Sequence, residues 1–384
     1  MGTCSRACRL LAAAALGATS LAQNAQQPIK RPDAPQPISL GEVSSVSVPS
    51  LPAESIGAPL FCGPNGNLMF RLATPAGMED PVGVSSDGKT VTHFTREKIN
   101  DIPRPLILST FLAGSDVYLL VRGSFPLGYQ TKWRSPDGEV TQQQASRRET
   151  FIVRFGADGN YSGSVHLDVP FQAMRFGAFE NGDFLISGTE PSTDEPRTAI
   201  VGANGQLRRL LELKGDVHSQ RTDAPGGDKD PTALPRFKPA DGRPPQAFVT
   251  ETLRGVVSTS QIVRDGPDLL LFRPINGPVF SISPSGEVRT HKLQIEENSR
   301  LYTIKPNSDS WIVEFLHDVP NSQSVEFSTY AFDPKNGVAM REYFFPGDFG
   351  WGLACADGNE FTFVMAEEKT NALKLVKLAP IAHN

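Results

Sequence analysis

Short apolar runs separated by polar, glycine-ended turns dominate this chain. One pattern, an apolar strand followed by a tight turn and a second strand, occurs five times. It reads Val82-Gly83-Val84-Ser85-Ser86-Asp87-Gly88, Ile152-Val153-Arg154-Phe155-Gly156-Ala157-Asp158-Gly159 and Ile200-Val201-Gly202-Ala203-Asn204-Gly205. It returns as Phe280-Ser281-Ile282-Ser283-Pro284-Ser285-Gly286 and Tyr330-Ala331-Phe332-Asp333-Pro334-Lys335-Asn336-Gly337. Tight hairpin turns need positive φ, which glycine adopts freely and Asn or Asp tolerate. The flanking residues alternate or run apolar, as strands do.

A second pattern, a turn followed by a strongly apolar strand, interleaves with the first. Its six copies begin at Asn65-Gly66, Ser115-Asp116, Asn181-Gly182, Gly266-Pro267, Ser308-Asp309 and Asp357-Gly358. Two hairpins in series make a four-stranded meander, the blade of a propeller. The paired pattern resembles the six-bladed NHL-like and TolB-like propeller repeats, over nearly the whole chain after residue 37. Such blades run about 40–50 residues, so the larger gaps between turn glycines are inserted loops. The expected fold is all-β: a six-bladed β-propeller of four-stranded antiparallel blades. A seven-bladed ring, with the longest insert hiding a degenerate blade, and a two-domain β-sandwich are the competing architectures.

The chain ends bear on closure. The sixth blade has residues for three strands, the last being Leu373 to Leu378, while Ile38 to Val48 is a strand with no blade of its own. Pairing the two completes the last blade and removes two open sheet edges. A single propeller domain therefore covers residues 38–384. Ahead of it, residues 23–37 carry Pro28, Pro32, Pro35 and Pro37 among several Gln residues and read as a flexible lead-in.

Residues 1–22 have the form of a signal peptide: Arg6 and Arg9, an apolar alanine-rich run from Leu10 to Leu21, then Ser20-Leu21-Ala22 at the cleavage position. An uncleaved anchor is the alternative. Cleavage after Ala22 implies a periplasmic or extracellular protein. It removes those two arginines and no acid, moving the formal charge from −5 to −7. An acidic chain with no basic run argues against nucleic acid or anionic lipid as partner. No later segment is apolar enough to cross a membrane, and a monomer is expected.

Only Cys62 and Cys355 follow the signal segment. They end the first strands of blades one and six, which are neighbours in a closed ring. In an oxidising compartment they form either a disulfide or two buried thiols.

Connections between second and third strands, and between blades, open on one rim of a propeller. Both long insertions fall there, at about 123–148 and 214–253. Loops on a rigid scaffold commonly carry function, so this rim is the expected binding face. The first insertion holds Tyr129, Lys132, Trp133 and Arg134, side chains typical of interface anchors. Trp133 folding back onto its blade is the bland reading. Asp348 and Trp351, with Phe349 and Gly350, precede the inner strand of blade six near the tunnel mouth; packing between blades is their alternative. His317 and Asp318 open another loop on this rim and make a candidate acid/base or half-metal pair. Trp311 sits inside a strand and is assigned to the core.

The remaining histidines are scattered without metal-ligand spacing. There is no Gly-x-Ser-x-Gly elbow, no His-Glu-x-x-His and no phosphate-cradling glycine loop, so no catalytic residue is named. Two functions remain: a non-enzymatic binding or scaffold module for a protein, peptide or glycan, and a propeller hydrolase. The second rests on resemblance to the calcium-dependent lactonases, which hold the metal in the axial tunnel with Glu, Asn and Asp side chains. Glu54 is the one nominee here. No other cofactor is implied.

Overall fold

The structure is a computed structural model that describes residues 37–52, 56–74, 77–134, 140–221, 230–236, 252–294, 299–318, 325–345, 352–367 and 370–381. It is all-β, with its antiparallel sheets in a propeller-like arrangement. After β1 (Pro37–Pro52) the first meander comprises β2 (Ile56–Cys62), β3 (Leu68–Thr74), β4 (Gly77–Val84) and β5 (Val91–His93). The second comprises β6 (Leu106–Ala113), β7 (Asp116–Arg134), β8 (Val140–Phe155) and β9 (Tyr161–His166). The third is β10 (Gln172–Ala178), β11 (Phe184–Thr189), β12 (Pro196–Val201) and β13 (Leu207–Leu211). A short parallel pair, β14 (His218–Ser219) with β15 (Ala233–Leu234), and helix α1 (Leu253–Thr259) precede the fourth. That meander is β16 (Gln261–Asp265), β17 (Asp268–Phe272), β18 (Val279–Ile282) and β19 (Val288–His291).

Four sheets of four strands stand separately, against the six expected, because the remaining strands form one sheet of eight. It contains β20 (Ser299–Asn307), β21 (Ser310–Asp318), β22 (Val325–Phe332) and β23 (Ala339–Phe344). Beyond β1 it continues through β26 (Ala372–Pro380), β25 (Glu360–Ala366) and β24 (Leu353–Asp357). The junction is β1. Its first residues pair in parallel with β23, Pro37 opposite Glu342 and Ser39 opposite Phe344. From Leu40 onward it pairs antiparallel with β26, Glu42 opposite Leu378 and Val48 opposite Leu373. One strand thus offers hydrogen bonds to both flanking sheets and leaves no edge between them. The first strands of the meanders adjoin in the order β2, β6, β10, β16, β20, β24 and back to β2.

Aromatic rings fill the space between sheets. Phe61, Phe111 and Phe176, from three successive inner strands, stack in a chain with centroids 6.1 and 6.0 Å apart. Trp311 is buried, and its indole N–H donates to Asp265 at 3.0 Å. The glycine turns pack as tightly. Gly205 has φ +83°, and a Cβ there would lie 1.9 Å from the His166 carbonyl oxygen.

Both insertions differ from the loops expected. Residues 123–134 and 140–148 continue the β7–β8 ladder, from Gly123 opposite Glu149 out to Arg134 opposite Val140. Neither flanking strand follows: β6 stops pairing at Arg122 and β9 at Phe151. The result is a two-stranded arm. The ladder breaks between Pro126 and Gln130, where proline has no N–H to give. At its base Phe125 and Phe151 lie 6.0 Å apart. In the second insertion Thr252 caps α1 by accepting from Gly255 N at 3.1 Å, and Leu253, Val256 and Val257 are buried with Met174 and Val217. Asp216 anchors the same segment through a bidentate pair with the buried Arg273, at 2.9 and 2.7 Å.

Candidate functional site: the axial mouth

Five of the six inner strands are irregular near their N-terminal ends. Leu108 in β6, Met174 in β10, Tyr302 in β20 and Ala354 in β24 each fall between paired neighbours as single bulged residues. In β2 the break spans Gly57 to Phe61. A bulge pushes a peptide group off the ladder, and that group must find another partner.

Here the partners come from neighbouring sheets. Arg71 Nη1 donates to Ile107 O at 3.4 Å, and Arg175 Nη1 to the next carbonyl, Leu108 O, at 2.9 Å. Arg175 also reaches Met174 O at 3.2 Å and, through Nε, Ser260 O at 2.9 Å. Gln261 Nε2 donates to Tyr302 O at 2.6 Å. Both Glu314 carboxylate oxygens accept from Leu353 N, at 3.2 and 3.1 Å. Lys305 Nζ donates to Leu60 O. Cys355 and Cys62 form a disulfide with Cα atoms 5.2 Å apart. Arg71 on β3 thus reaches β6, and Arg175 on β10 reaches β6 and the residue ahead of β16. Gln261 on β16 reaches β20, Glu314 on β21 reaches β24, and Lys305 and the disulfide connect β20 and β24 to β2.

At the same level Leu60, Leu108, Arg175, Gln261, Tyr302 and Gly352 are half-buried, one from each inner-strand region. Arg175 and Tyr302 are surrounded by protein yet keep solvent-accessible surface, as side chains lining a central opening do. Gly352 makes room for Tyr302, whose Cε1 would lie 3.3 Å from a Cβ at that position.

Burial sets the electrostatics of this mouth. Desolvation pulls Lys305 down to about 8, partly offset by the Glu314 charge. It pushes Glu314 up to about 7, partly offset by the Leu353 N–H and by Lys305. Arg71 and Arg175 are both lowered to about 10, by burial first and then by a neighbouring guanidinium. The Tyr302 hydroxyl is raised by burial and by Glu314. Among the described residues, Arg175, Lys305 and Glu314 are thus charged groups held in partly desolvated surroundings, with Arg71 behind them beside Arg96 and Asp80.

The residues singled out from sequence are not gathered at one point. Tyr129 lies on the arm and is 58% exposed, with Leu127 and Val140 also exposed there. Trp133 and Arg134 belong to β7, but their side chains lie outside the described set, as does that of Asp318 at the end of β21. His317 Nε2 is 2.6 Å from Ser328 Oγ on the adjacent strand, a local cross-strand contact. Glu54, Asp348 and Trp351 lie outside the described residues. Among the described residues no three His, Cys, Asp or Glu side chains are grouped to hold a metal. A surface hollow of about 590 Å³ lies on the outer strands, between Arg209 and Glu212 on one side and Ser285 and Glu287 on the other. It shares no residue with the mouth. Sequence reasoning missed Arg71, Arg175, Lys305 and Glu314, although Arg71, Arg175 and Glu314 each interrupt an apolar run, a detectable signal.

No protein-family model matches the chain, and no curated relative does. Solved β-propeller structures are similar at low identity. Virginiamycin B lyase from Staphylococcus aureus is 10% identical, with a TM-score of 0.42 over 89% of this chain and 99% of that one. The β-propeller domain of the Trilobed protease from Pyrococcus furiosus is 10% identical, with a TM-score of 0.38 over 86% and 85%. A Trypanosoma rangeli sialidase is 11% identical, with a TM-score of 0.41 over 85% of this chain and 54% of its own. Likeness this loose carries no activity across.

Proposed function

We propose that the eight-stranded sheet is two blades sharing β1, which makes the protein a six-bladed ring exported by residues 1–22. It works outside the cytoplasm as a binding module, and the rim bearing the arm and the axial mouth is its binding face. The observation that carries this reading is the half-buried set contributed by all six inner-strand regions, opening on the rim from which β7 and β8 project. By antiparallel topology, the N-terminal ends of the inner strands and the β7–β8 connection lie on one side. Concave sites with a few placed polar groups are where small ligands bind, and an exposed aromatic on a rigid ribbon is a familiar anchor for a larger partner.

Thermal-shift screening of a library spanning sugars, peptides and organic acids tests this. A hit that stabilises the wild type, but not Gln261→Ala or Tyr302→Phe, supports the mouth as binding face. Stabilisation that survives both substitutions refutes it.

A second reading, a hydrolase, draws on Glu314 and Lys305, since buried groups titrating near neutrality are frequent in catalytic sites. Calcium needs several convergent oxygen ligands. The carbonyls described here already accept from Arg175, Arg71 and Lys305, whose charge repels a cation. Stoichiometric calcium in purified protein, together with lactone or ester turnover, would replace the binding reading with this one.

A further inference from the structure

The mouth is lined by donors with spare capacity. Arg175 places Nε and Nη1 on three carbonyl oxygens, but its Nη2 has no hydrogen-bond partner among the described residues. Nη2 is not sealed from solvent. The Tyr302 hydroxyl is in the same position, unpaired and accessible. Lys305 spends one of its three N–H bonds on Leu60 O. The nearby acceptors already have donors: both Glu314 oxygens face Leu353 N, and the bulge carbonyls face the cations.

Charge points the same way. Arg175 donates only to neutral carbonyls, and Lys305 has Glu314 as its electrostatic counterpart. Arg96 and Asp80, behind Arg71, pair with each other at 2.7 Å. Among the described residues Arg175 is therefore a cation bonded only to neutral groups in a partly desolvated place, where a charge-assisted bond to an oxyanion is strong. A guanidinium, a phenolic O–H and an ammonium offer hydrogen-bond donors, and the two cations offer nothing else.

We infer that the axial mouth binds an oxyanion, a carboxylate or phosphate group of a small ligand, on Arg175 Nη2 with Tyr302 and Lys305 contributing. This rests on the binding-face reading and names the ligand class for it. The anion supplies the acceptors these donors lack and balances the Arg175 charge. The ring of carbonyl contacts holds Arg175 in place beforehand, so little side-chain entropy is lost on binding.

Calorimetric titration tests it with succinate, benzoate and inorganic phosphate, and with benzamide as the neutral counterpart. Saturable binding of at least one anion is expected, with none of benzamide. Affinity should weaken at least tenfold in Arg175→Gln and as salt rises, and stay unchanged in Lys89→Gln, an exposed turn residue. If Arg175→Gln does not fold, Arg175→Lys, which keeps the charge and loses the fork, is read instead with the same expected loss. Which of benzoate, succinate and phosphate binds tightest separates a carboxylate from a phosphate ligand. No saturable anion binding, equal binding of benzamide, or unchanged affinity in a folded Arg175 variant overturns the inference. A neutral ligand lost in Gln261→Ala or Tyr302→Phe, with no anion bound, would remove this inference and leave the mouth as the binding face.

Discussion

Breaking the Cys62–Cys355 bond should lower stability more than any single surface change. The two residues are 293 apart in sequence, so the bond constrains most of the unfolded chain. Chain-entropy reasoning gives about 4.7 kcal/mol for a loop of ~100 residues and rises with the logarithm of length, so a loop of this size corresponds to about 5–6 kcal/mol. Measured effects run lower, commonly 2–4 kcal/mol, and 2 kcal/mol is the least expected here. The comparison free of substitution is urea unfolding of oxidised against reduced wild type. The companion is a Cys62→Ser, Cys355→Ala double variant: Cys62 is exposed, whereas Cys355 is 4% exposed and would bury an unpaired hydroxyl as serine. The m-value should rise on reduction, because the freed unfolded chain exposes more surface. Thiol titration of denatured, unreduced protein should find neither of these sulfurs free. Two titratable thiols from this pair, or a stability difference below about 1 kcal/mol, would refute the reasoning.

Four further outcomes follow from buried groups. Glu314 is raised from 4.5 to about 7 in the fold, so stability it contributes in acid is lost as pH rises between those values, by about 3 kcal/mol at most; Glu314→Gln should flatten the pH profile of urea stability across that window. Lys305, lowered from 10.5 to about 8, acts with opposite sign: stability returns as pH climbs from about 8 toward 10.5, and Lys305→Met should remove that rise. Asp216→Ala strands Arg273, which is 2% exposed at its side chain, and should cost about 3–5 kcal/mol by denaturant unfolding, whereas the apolar pair Asp216→Leu with Arg273→Met should recover most of it. Gly205→Ala must hold φ +83° and displace the His166 carbonyl, so a loss of about 2–4 kcal/mol is expected in thermal or urea melts.

Local chemistry made the strands legible. Asp-Gly and Asn-Gly turns report themselves within four residues, and period-two patterning reports itself within six. The pairing of residues 38–48 with 373–378 was also within reach, because a spare strand and a missing one sat at opposite ends of the chain. The arm was hidden by composition: Gln142, Gln143 and Gln144, close after Pro136-Asp137-Gly138, read as loop, yet cross-strand pairing carries the ladder through the three glutamines. Helix α1 was too short to show a period. Its seven residues owe their conformation to burial of Leu253, Val256 and Val257 against the third sheet's neighbourhood.

The mouth was invisible for a different reason. Its bonds link residues far apart, 36 between Arg71 and Ile107 and 245 between Lys305 and Leu60, and no local pattern encodes them. Residue type still left a trace, since an arginine, lysine or glutamate inside a buried strand costs stability that an apolar residue would not. Satisfying bulge carbonyls accounts for part of that expense. It does not account for the choice of arginine at position 175: a glutamine is uncharged and donates through one nitrogen, as Gln261 does to Tyr302 O. What arginine adds is a permanent charge and an Nη2 that keeps solvent contact without a hydrogen-bond partner among the described residues, as the Tyr302 hydroxyl does. A structural stitch has no use for either. The surplus is physically sensible where a negatively charged group arrives from solvent and completes the set.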